Sequence, residues 1–293
     1  MKTAIHPFSR RQQMEVGIPY EIHHYRDSYL SEVAMHHHDF YEIYFFLSGK
    51  VSYRVENRTY PLQPGDILLI SPLELHQPII AKEKHSYERI VLWVSKSCID
   101  RLSRPDCVLD RCFDIYEPEY TNLLRVDAIT RQRISNIMEL LHQETYGDAF
   151  GSQVASEAAL TQLLIELNRQ MFYSRSRGRR YEALDPSEAV ISKVLSYINE
   201  NAGDDISLDD LAEQFYISKY HLSREFKRLV GTSPYRYIIQ KRLIMAKQLL
   251  LAGANPTDAY CHCGFGDYSN FYRAFKAEYG IGPKEFAKEI QKE

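Results

Sequence analysis

The chain of 293 residues contains no run of 18 apolar residues, and its first stretch, Met1 to Met14, carries Lys2, Arg10 and Arg11 but no apolar core. A membrane-spanning helix needs about 20 consecutive apolar residues and a secretion signal a core of roughly 7–15, so neither insertion nor export is expected and the protein reads as cytoplasmic. Cysteine is scarce too. The five thiols, Cys98, Cys107, Cys112, Cys261 and Cys263, are odd in number and lack the spacing of a disulfide framework, so reduced thiols are expected. Cys261 and Cys263 flank His262, yet no second ligand pair stands nearby and zinc binding there is not expected. One tryptophan stands against 22 tyrosines, a balance that suits half-buried strand faces, with nucleotide stacking only one further use. A surplus of positive charge is also missing: the formal net charge is −3, which over the whole chain argues against a partner made of phosphates.

Residues 20–95 read as strands. Glu42 to Leu47, Val51 to Val55, Asp66 to Ile70 and Glu88 to Val94 are short β-branched or aromatic runs separated by Ser48-Gly49, Asn57 and Pro64-Gly65, the pattern of an antiparallel sandwich or barrel. From Val126 to Phe172 the period turns helical. Ile129, Ile134, Ile137, Leu140 and Leu141 form one expected stripe, and Val154, Ala158, Leu160, Leu163, Leu164 and Leu167 another, with Gly147 and Gly151 between them. The second helix is apolar around so much of its circumference that it either packs on the β domain or meets a partner subunit; a homodimer contact is expected here. Residues 174–186 hold Arg175, Arg177, Arg179 and Arg180 around Gly178 without apolar period and read as a linker.

Residues 187–293 give only helical signals. Ser207, Ser218, Ser233-Pro234, Asn255-Pro256 and Asp267 are expected helix starts, with stops at Gly231, Gly253, Gly264 and Gly280. The pattern of short helix, tight break and capped second helix recurs about 49 residues on, from Ser218 to Asp267, which predicts two helix-turn-helix units joined by one long helix. Charge in this segment is balanced only on average. From Lys219 to Lys247 stand Lys219, Arg224, Lys227, Arg228, Arg236, Lys241, Arg242 and Lys247 against the single acid Glu225, whereas Glu200, Asp204, Asp205, Asp209, Asp210 and Glu213 stand together without a base. Such a dipole lets basic helices face DNA while the acidic face turns away or meets another protein, RNA polymerase being the candidate. Three- and four-residue spacing puts Lys219, Tyr220, Ser223, Arg224 and Lys227 in one candidate DNA-binding set and Tyr268, Ser269, Asn270, Arg273 and Lys276 in another. Arginine pairs bidentately with guanine and asparagine with adenine, while Lys227 and Lys276 suit phosphates.

Residues Ile206 to Phe286 resemble the AraC/XylS family of transcription regulators. The resemblance is carried by Ser218-x-x-His221-Leu222-Ser223-Arg224-x-Phe226-Lys227, Gly231-x-Ser233-Pro234, Arg242-Leu243-x-x-Ala246, Gly264-Phe265-x-Asp267-x-Ser269-x-Phe271-x-Arg273-x-Phe275-Lys276 and Gly280-x-Gly282-Pro283. It implies two recognition helices in successive major-groove faces of double-stranded DNA, about 34 Å apart. The chain departs from the family pattern at Pro256, Ala259 and Tyr260, at Tyr216 in a turn where glycine is common, and at Ala287.

Further upstream, His36-x-His38-x3-Glu42-x6-Gly49, with Pro72 and His76, matches the paired signatures of the cupin barrel, except that Leu30 and Glu74 replace glycines. It resembles the sensor barrel that commonly precedes this DNA-binding domain. His36, His38, Glu42 and His76 could hold a divalent metal, or serve as polar groups in a metal-free ligand pocket, or be structural. Tyr44 and Trp93 are candidates for stacking surface in that pocket. The expected fold is α+β: a cupin-like ligand-sensing β-barrel over 1–115, a helical dimerisation hairpin over 116–173, a linker over 174–186, and an all-α domain with two helix-turn-helix units over 187–293. The expected protein is a non-enzymatic, ligand-responsive activator of a carbohydrate-utilisation operon with a sugar effector and no required cofactor. The rivals are a metal-dependent cupin isomerase or dioxygenase fused to a DNA-binding module, and a regulator without effector.

Overall fold

The computed structural model describes residues 14, 17–28, 33, 35–72, 74–81, 86–115, 117, 120–176 and 186–290. Most of the expected linker, 177–185, lies outside them, as does Leu30. The chain divides into two compact units, Met1–Val55 with Thr59–Tyr181, and Glu182–Glu293 with Glu56–Arg58.

Before residue 181 the described residues form eight strands: β1 (Tyr20–Asp27), β2 (Tyr41–Ser48), β3 (Val51–Val55), β4 (Arg58–Pro61), β5 (Ile67–Ile70), β6 (His76–Ile80), β7 (Tyr87–Val94) and β8 (Leu123–Leu124). They form a five-stranded sheet in the order β1-β7-β2-β5-β8 and a three-stranded sheet in the order β4-β3-β6. β2 explains how the unit works. It pairs antiparallel with both β5 and β7, and every residue from Tyr41 to Phe46 is buried. Successive side chains on a strand point to opposite faces. Tyr41, Ile43 and Phe45 accordingly join the core that faces the helices, while Tyr44 and Phe46 join a second, aromatic core with Tyr25, Phe40, Tyr53, Tyr87 and Trp93. Glu42 lies on that second face and is 4% exposed, so a carboxylate has been placed deep in the aromatic interior.

The helices of this unit are α1 (Lys96–Leu102), α2 (Ala128–Thr145) and α3 (Ser152–Ser176). Ile134, Ile137, Met138 and Leu141 of α2 and Ala159, Leu160, Leu163, Leu164, Leu167 and Met171 of α3 pack against the five-stranded sheet. The expected stripes need correction. Ile129, Leu140 and Val154 are exposed, as is Ala158, because about 100° of rotation per residue carries Ile129 and Leu140 off the line through 134, 137, 138 and 141. On α3 the apolar circumference divides in two: an inner face on the sheet, and an outward line through Val154, Ala158, the half-buried Ile165 and Phe172.

The second unit is helical: α4 (Pro186–Asn201), α5 (Leu208–Gln214), α6 (Lys219–Val230), α7 (Pro234–Leu251), α8 (Pro256–His262), α9 (Tyr268–Tyr279) and α10 (Pro283–Ile290). Side chains of Ser207, Ser218, Ser233, Asn255 and Asp267 accept hydrogen bonds from the first backbone N–H groups of α5, α6, α7, α8 and α9, which satisfies donors the helix itself cannot. Leu222 and Phe226 bury the inner face of α6, and Phe271 and Phe275 that of α9. Three bases of the run from Lys219 to Lys247 are buried: Lys241, Arg242 and Lys247. Arg242 donates through Nε to Ala202 O at 2.9 Å and through Nη2 to Asp204 O at 2.6 Å, closing the C-terminal end of α4. Lys247 lies buried, its ammonium 5.1 Å from the Tyr279 ring centre. A charge count along the chain does not separate such groups from free ones.

Candidate functional site

Two sets of residues carry chemistry, one in each unit. In the helical unit, α6 and α9 hold their arginines at equivalent positions, Arg224 and Arg273, each one and a half turns past a side-chain cap. Both are exposed, as are Tyr220, Lys227, Ser269, Asn270 and Lys276. Backbone N–H groups at the two helix N-termini add a positive end to the same side. Three expected residues are less free. Lys219 is ion-paired with Asp209, so the acidic and basic segments meet there instead of facing apart. Ser223 is half-buried, and Tyr268 packs edge-on against Tyr260 and Phe271 at 5.6 and 5.8 Å.

The two arginines are held differently. Arg224 donates through Nε to Glu225 Oε1 at 3.1 Å, and Arg228 Nε donates to Glu225 Oε2 at 2.8 Å. The hydrogen bond from Arg228 outweighs the effect of burial and, with that from Arg224, holds the Glu225 carboxyl below its ordinary pKa. Arg273 donates through Nη2 to Asn270 Oδ1 at 2.6 Å and through Nε to Ser269 O at 3.4 Å, with no carboxylate partner among the described residues.

In the β unit, His38, Glu42 and His76 are all buried, and one ligand atom from each lies within 4.8 Å of the other two. His38 Nδ1–H donates to Phe40 O at 2.8 Å and His76 Nδ1–H to Glu74 O at 2.9 Å. A carbonyl can only accept, so both protons are fixed on Nδ1 and both Nε2 atoms turn to Glu42. His38 Nε2 lies 3.1 Å from Glu42 Oε2 and His76 Nε2 3.9 Å from it, the latter with no hydrogen-bond partner among the described residues. The 3.1 Å approach of nitrogen to carboxyl oxygen calls for a proton or a shared cation between them. Trp93 Nε1–H donates to Glu42 Oε2 at 2.9 Å, and Tyr53 O–H to Oε1 at 3.3 Å. Burial would raise the Glu42 pKa, but His38, His36 and Trp93 together bring it below the ordinary value; burial pushes His76 well down and keeps it neutral.

The expected quartet of metal ligands is thus a trio. His36 is directly paired through its backbone with His76, and its ring packs edge-on against the His76 ring, 4.2 Å between centres, outside the converging set. Tyr44 is hydrogen-bonded to Tyr87 and its ring lies 4.8 Å from that of Tyr53, so it supports the interior one step from Glu42.

Residues 18–164, half of the chain, match a family model described as an AraC-like ligand binding domain, and residues 211–289 match one described as a helix-turn-helix domain. The chain belongs to the AraC family. Among its relatives, the HTH-type transcriptional activator RhaS of Salmonella schwarzengrund (strain CVM19633) is 26% identical over 260 residues, covering 85% of this chain and 86% of that protein. RhaS of Enterobacter sp. (strain 638) is 25% identical over 258 residues with the same coverage. A crystal structure of ToxT from Vibrio cholerae O395 is similar over 93% of this chain and 98% of its own, with 14% identity and a TM-score of 0.36. As an AraC-family member the chain is a DNA-binding transcription regulator with a ligand-binding domain, and among the described residues no helix is long and apolar enough to cross a membrane.

The structure adds residues to these sites that spacing along the chain did not single out. Tyr53 reaches Glu42 from β3, and the only available signal was strand alternation between Val51 and Val55. Arg89, 2% exposed, pairs with Asp27 and lies over the Tyr25 and Tyr87 rings at 4.8 and 4.1 Å. Glu225 stood out in sequence only as an exception to the basic run.

Proposed function

We propose that this AraC-family regulator is a homodimeric activator of a carbohydrate-utilisation operon that reads double-stranded DNA through α6 and α9 and takes a sugar in the aromatic interior of its β unit. The observation that carries the DNA assignment is the equivalence of Arg224 and Arg273, exposed at the same position on two capped helices. Arg224→Ala is expected to weaken binding to a selected duplex by about 1–3 kcal/mol, measured by fluorescence anisotropy at fixed salt. Unchanged binding would sink it. Support for a polyhydroxylated effector is the mixture of aromatic faces with buried polar groups at Glu42, His38, His76, Tyr53 and Trp93. A panel of sugars that leaves thermal unfolding unmoved would favour a regulator without effector. The outward apolar line of α3 supports the homodimer; the acidic groups from Glu200 to Glu213 are the surface for RNA polymerase. The relatives are named as activators, which supports a regulator and not an enzyme.

A second reading follows from the two imidazoles whose Nδ1–H groups are fixed on carbonyls, the arrangement that orients histidine toward a metal. Two nitrogens and a carboxylate fit a divalent transition cation. His38, Glu42 and His76 would hold it, and it would supply a Lewis-acidic anchor for ligand oxygens. Trp93 is the only tryptophan and donates to Glu42, so titration with zinc or manganese alone should change its emission in the wild-type chain and not in His76→Ala. Identical titrations would dismiss the cation.

A further inference from the structure

The basic run from Lys219 to Lys247 contains one acid, and the structure places it beside the arginine assigned to base reading. Glu225 is 7% exposed and belongs to the inner edge of α6, where it lines a shallow groove with Val190 and Ile191 of α4 and with Ile217 and His221. An acid near DNA repels phosphates and is unfavourable for simple affinity. Its carboxylate bridges Arg224 Nε at 3.1 Å and Arg228 Nε at 2.8 Å. The bond to Nε matters. A guanidinium offers a side edge, which includes Nε–H, and an end edge made of the two Nη groups. With Nε anchored, the guanidinium is held at one edge, and its Nη groups form the fork that matches guanine O6 and N7. The Tyr220 ring centre lies 5.9 Å from Arg224 Cζ, and His221 Nδ1 is 3.5 Å from Nη2, so the anchored group is bounded on two further sides.

The chain contains its own control. The repeat that aligns Ser218 with Asp267 aligns Arg224 with Arg273, Glu225 with Ala274 and Arg228 with Ala277. The second unit has the same arginine without the acid, and there the side chain bonds Ser269 O through Nε at 3.4 Å and Asn270 Oδ1 through Nη2 at 2.6 Å, neutral acceptors in place of a carboxylate. The acid is therefore not a requirement of the helix-turn-helix fold.

We infer that Glu225 is a positioning residue for sequence discrimination: its carboxylate orders Arg224 through Nε before the base is read, whereas Arg273 of the second unit is held by the neutral acceptors Ser269 O and Asn270 Oδ1. The inference rests on the base-reading role proposed for Arg224. Ordering a long side chain before binding removes part of the entropy lost in the complex.

The test uses the full chain, a duplex selected by the wild-type protein from a randomised library, and a scrambled duplex of equal length at the same salt. Glu225→Gln should lower the ratio of selected to scrambled affinity by about fivefold, while affinity for the scrambled duplex holds or rises as a negative charge is lost. In an Arg224→Ala background, the same change should leave the ratio as it is. If Glu225→Gln moves both affinities by one factor, the acid acts only through charge and the positioning role is overturned. If Arg224→Ala itself leaves the ratio at the wild-type value, the base-reading role fails and the positioning role falls with it. A measurement on the wild-type protein stands apart from any folding defect of the variants. The Nε–H of Arg224 should exchange with solvent more slowly by NMR than that of Arg273; equal rates would overturn the anchor.

Discussion

In the first helix-turn-helix unit three residues separate α5 from the cap of α6, and Tyr216 among them takes a φ of 55°. In the second, four residues separate α8 from the cap of α9, and the positive φ falls on Gly264 at 70°. Both α6 and α9 end on a left-handed glycine, Gly231 and Gly280. One plan is therefore realised with different local chemistry. The first unit tolerates backbone strain in its turn and adds an acid beside its arginine. The second has a relaxed turn and no acid. Glycine at 264 also answers to crowding: a Cβ there would meet Gly203 O at 2.5 Å and Gly203 C at 2.9 Å, so α8 ends against the loop after α4 with no room for a side chain.

The largest difference between the units should therefore appear when the residue of positive φ in each turn is replaced by alanine. Gly264→Ala combines an unfavourable φ with a backbone clash and is expected to destabilise the protein by about 3 kcal/mol, whereas Tyr216→Ala, at a site where the ring is 95% exposed, changes stability by less than about 0.5 kcal/mol. Urea unfolding of the full chain measures both. Equal effects would remove the distinction between a crowded turn and an open one.

Next in size are the arginines. Arg224→Ala should remove about 2 kcal/mol of specific binding and Arg273→Ala about 1 kcal/mol, because Arg273 gives up its 2.6 Å bond to Asn270 when it binds. The reverse order in anisotropy titrations would contradict the contrast drawn between the two helices. Smaller again are the caps. Ser218→Ala and Asp267→Ala each remove one acceptor for a helix N-terminal N–H and should each lower stability by about 1 kcal/mol, with the two effects alike because the caps are alike. A cap loss confined to one unit would show that only that unit depends on its own helix start.

Much of the helical unit was legible in sequence because its signals are local. A cap is a serine, asparagine or aspartate ahead of an apolar period, and the equivalence of Ser218 with Asp267 needed only counting. The β unit was harder. β1 reads YEIHHYRD and β6 reads HQPII, polar segments whose pairing with β7 and β3 is decided by partners far along the chain. The cupin signature did mark Glu42, His38 and His76, but not that His36 would lie outside the trio, since convergence of side chains depends on the register of His36 against His76. Charge misled in a different way: Arg242 and Lys247 look in sequence like Arg224 and Lys227, and only burial shows that they hold helices together. Glu225 carried a visible sign and no visible partner.

The smallest expected effect concerns Tyr216. A non-glycine residue in the left-handed region costs about 1–2 kcal/mol, and glycine there would remove most of that while adding about 0.5–1 kcal/mol of chain entropy to be lost on folding. Tyr216 N–H donates to Glu213 O at 3.2 Å and Ile217 N–H to Ala212 O at 3.0 Å, bonds that glycine keeps. Tyr216→Gly is therefore expected to raise stability by about 0.5 kcal/mol and to make the first turn resemble the second. A thermal midpoint that falls instead would mean that the exposed ring contributes more than its backbone costs, and the strain ascribed to the first unit would have to be given up.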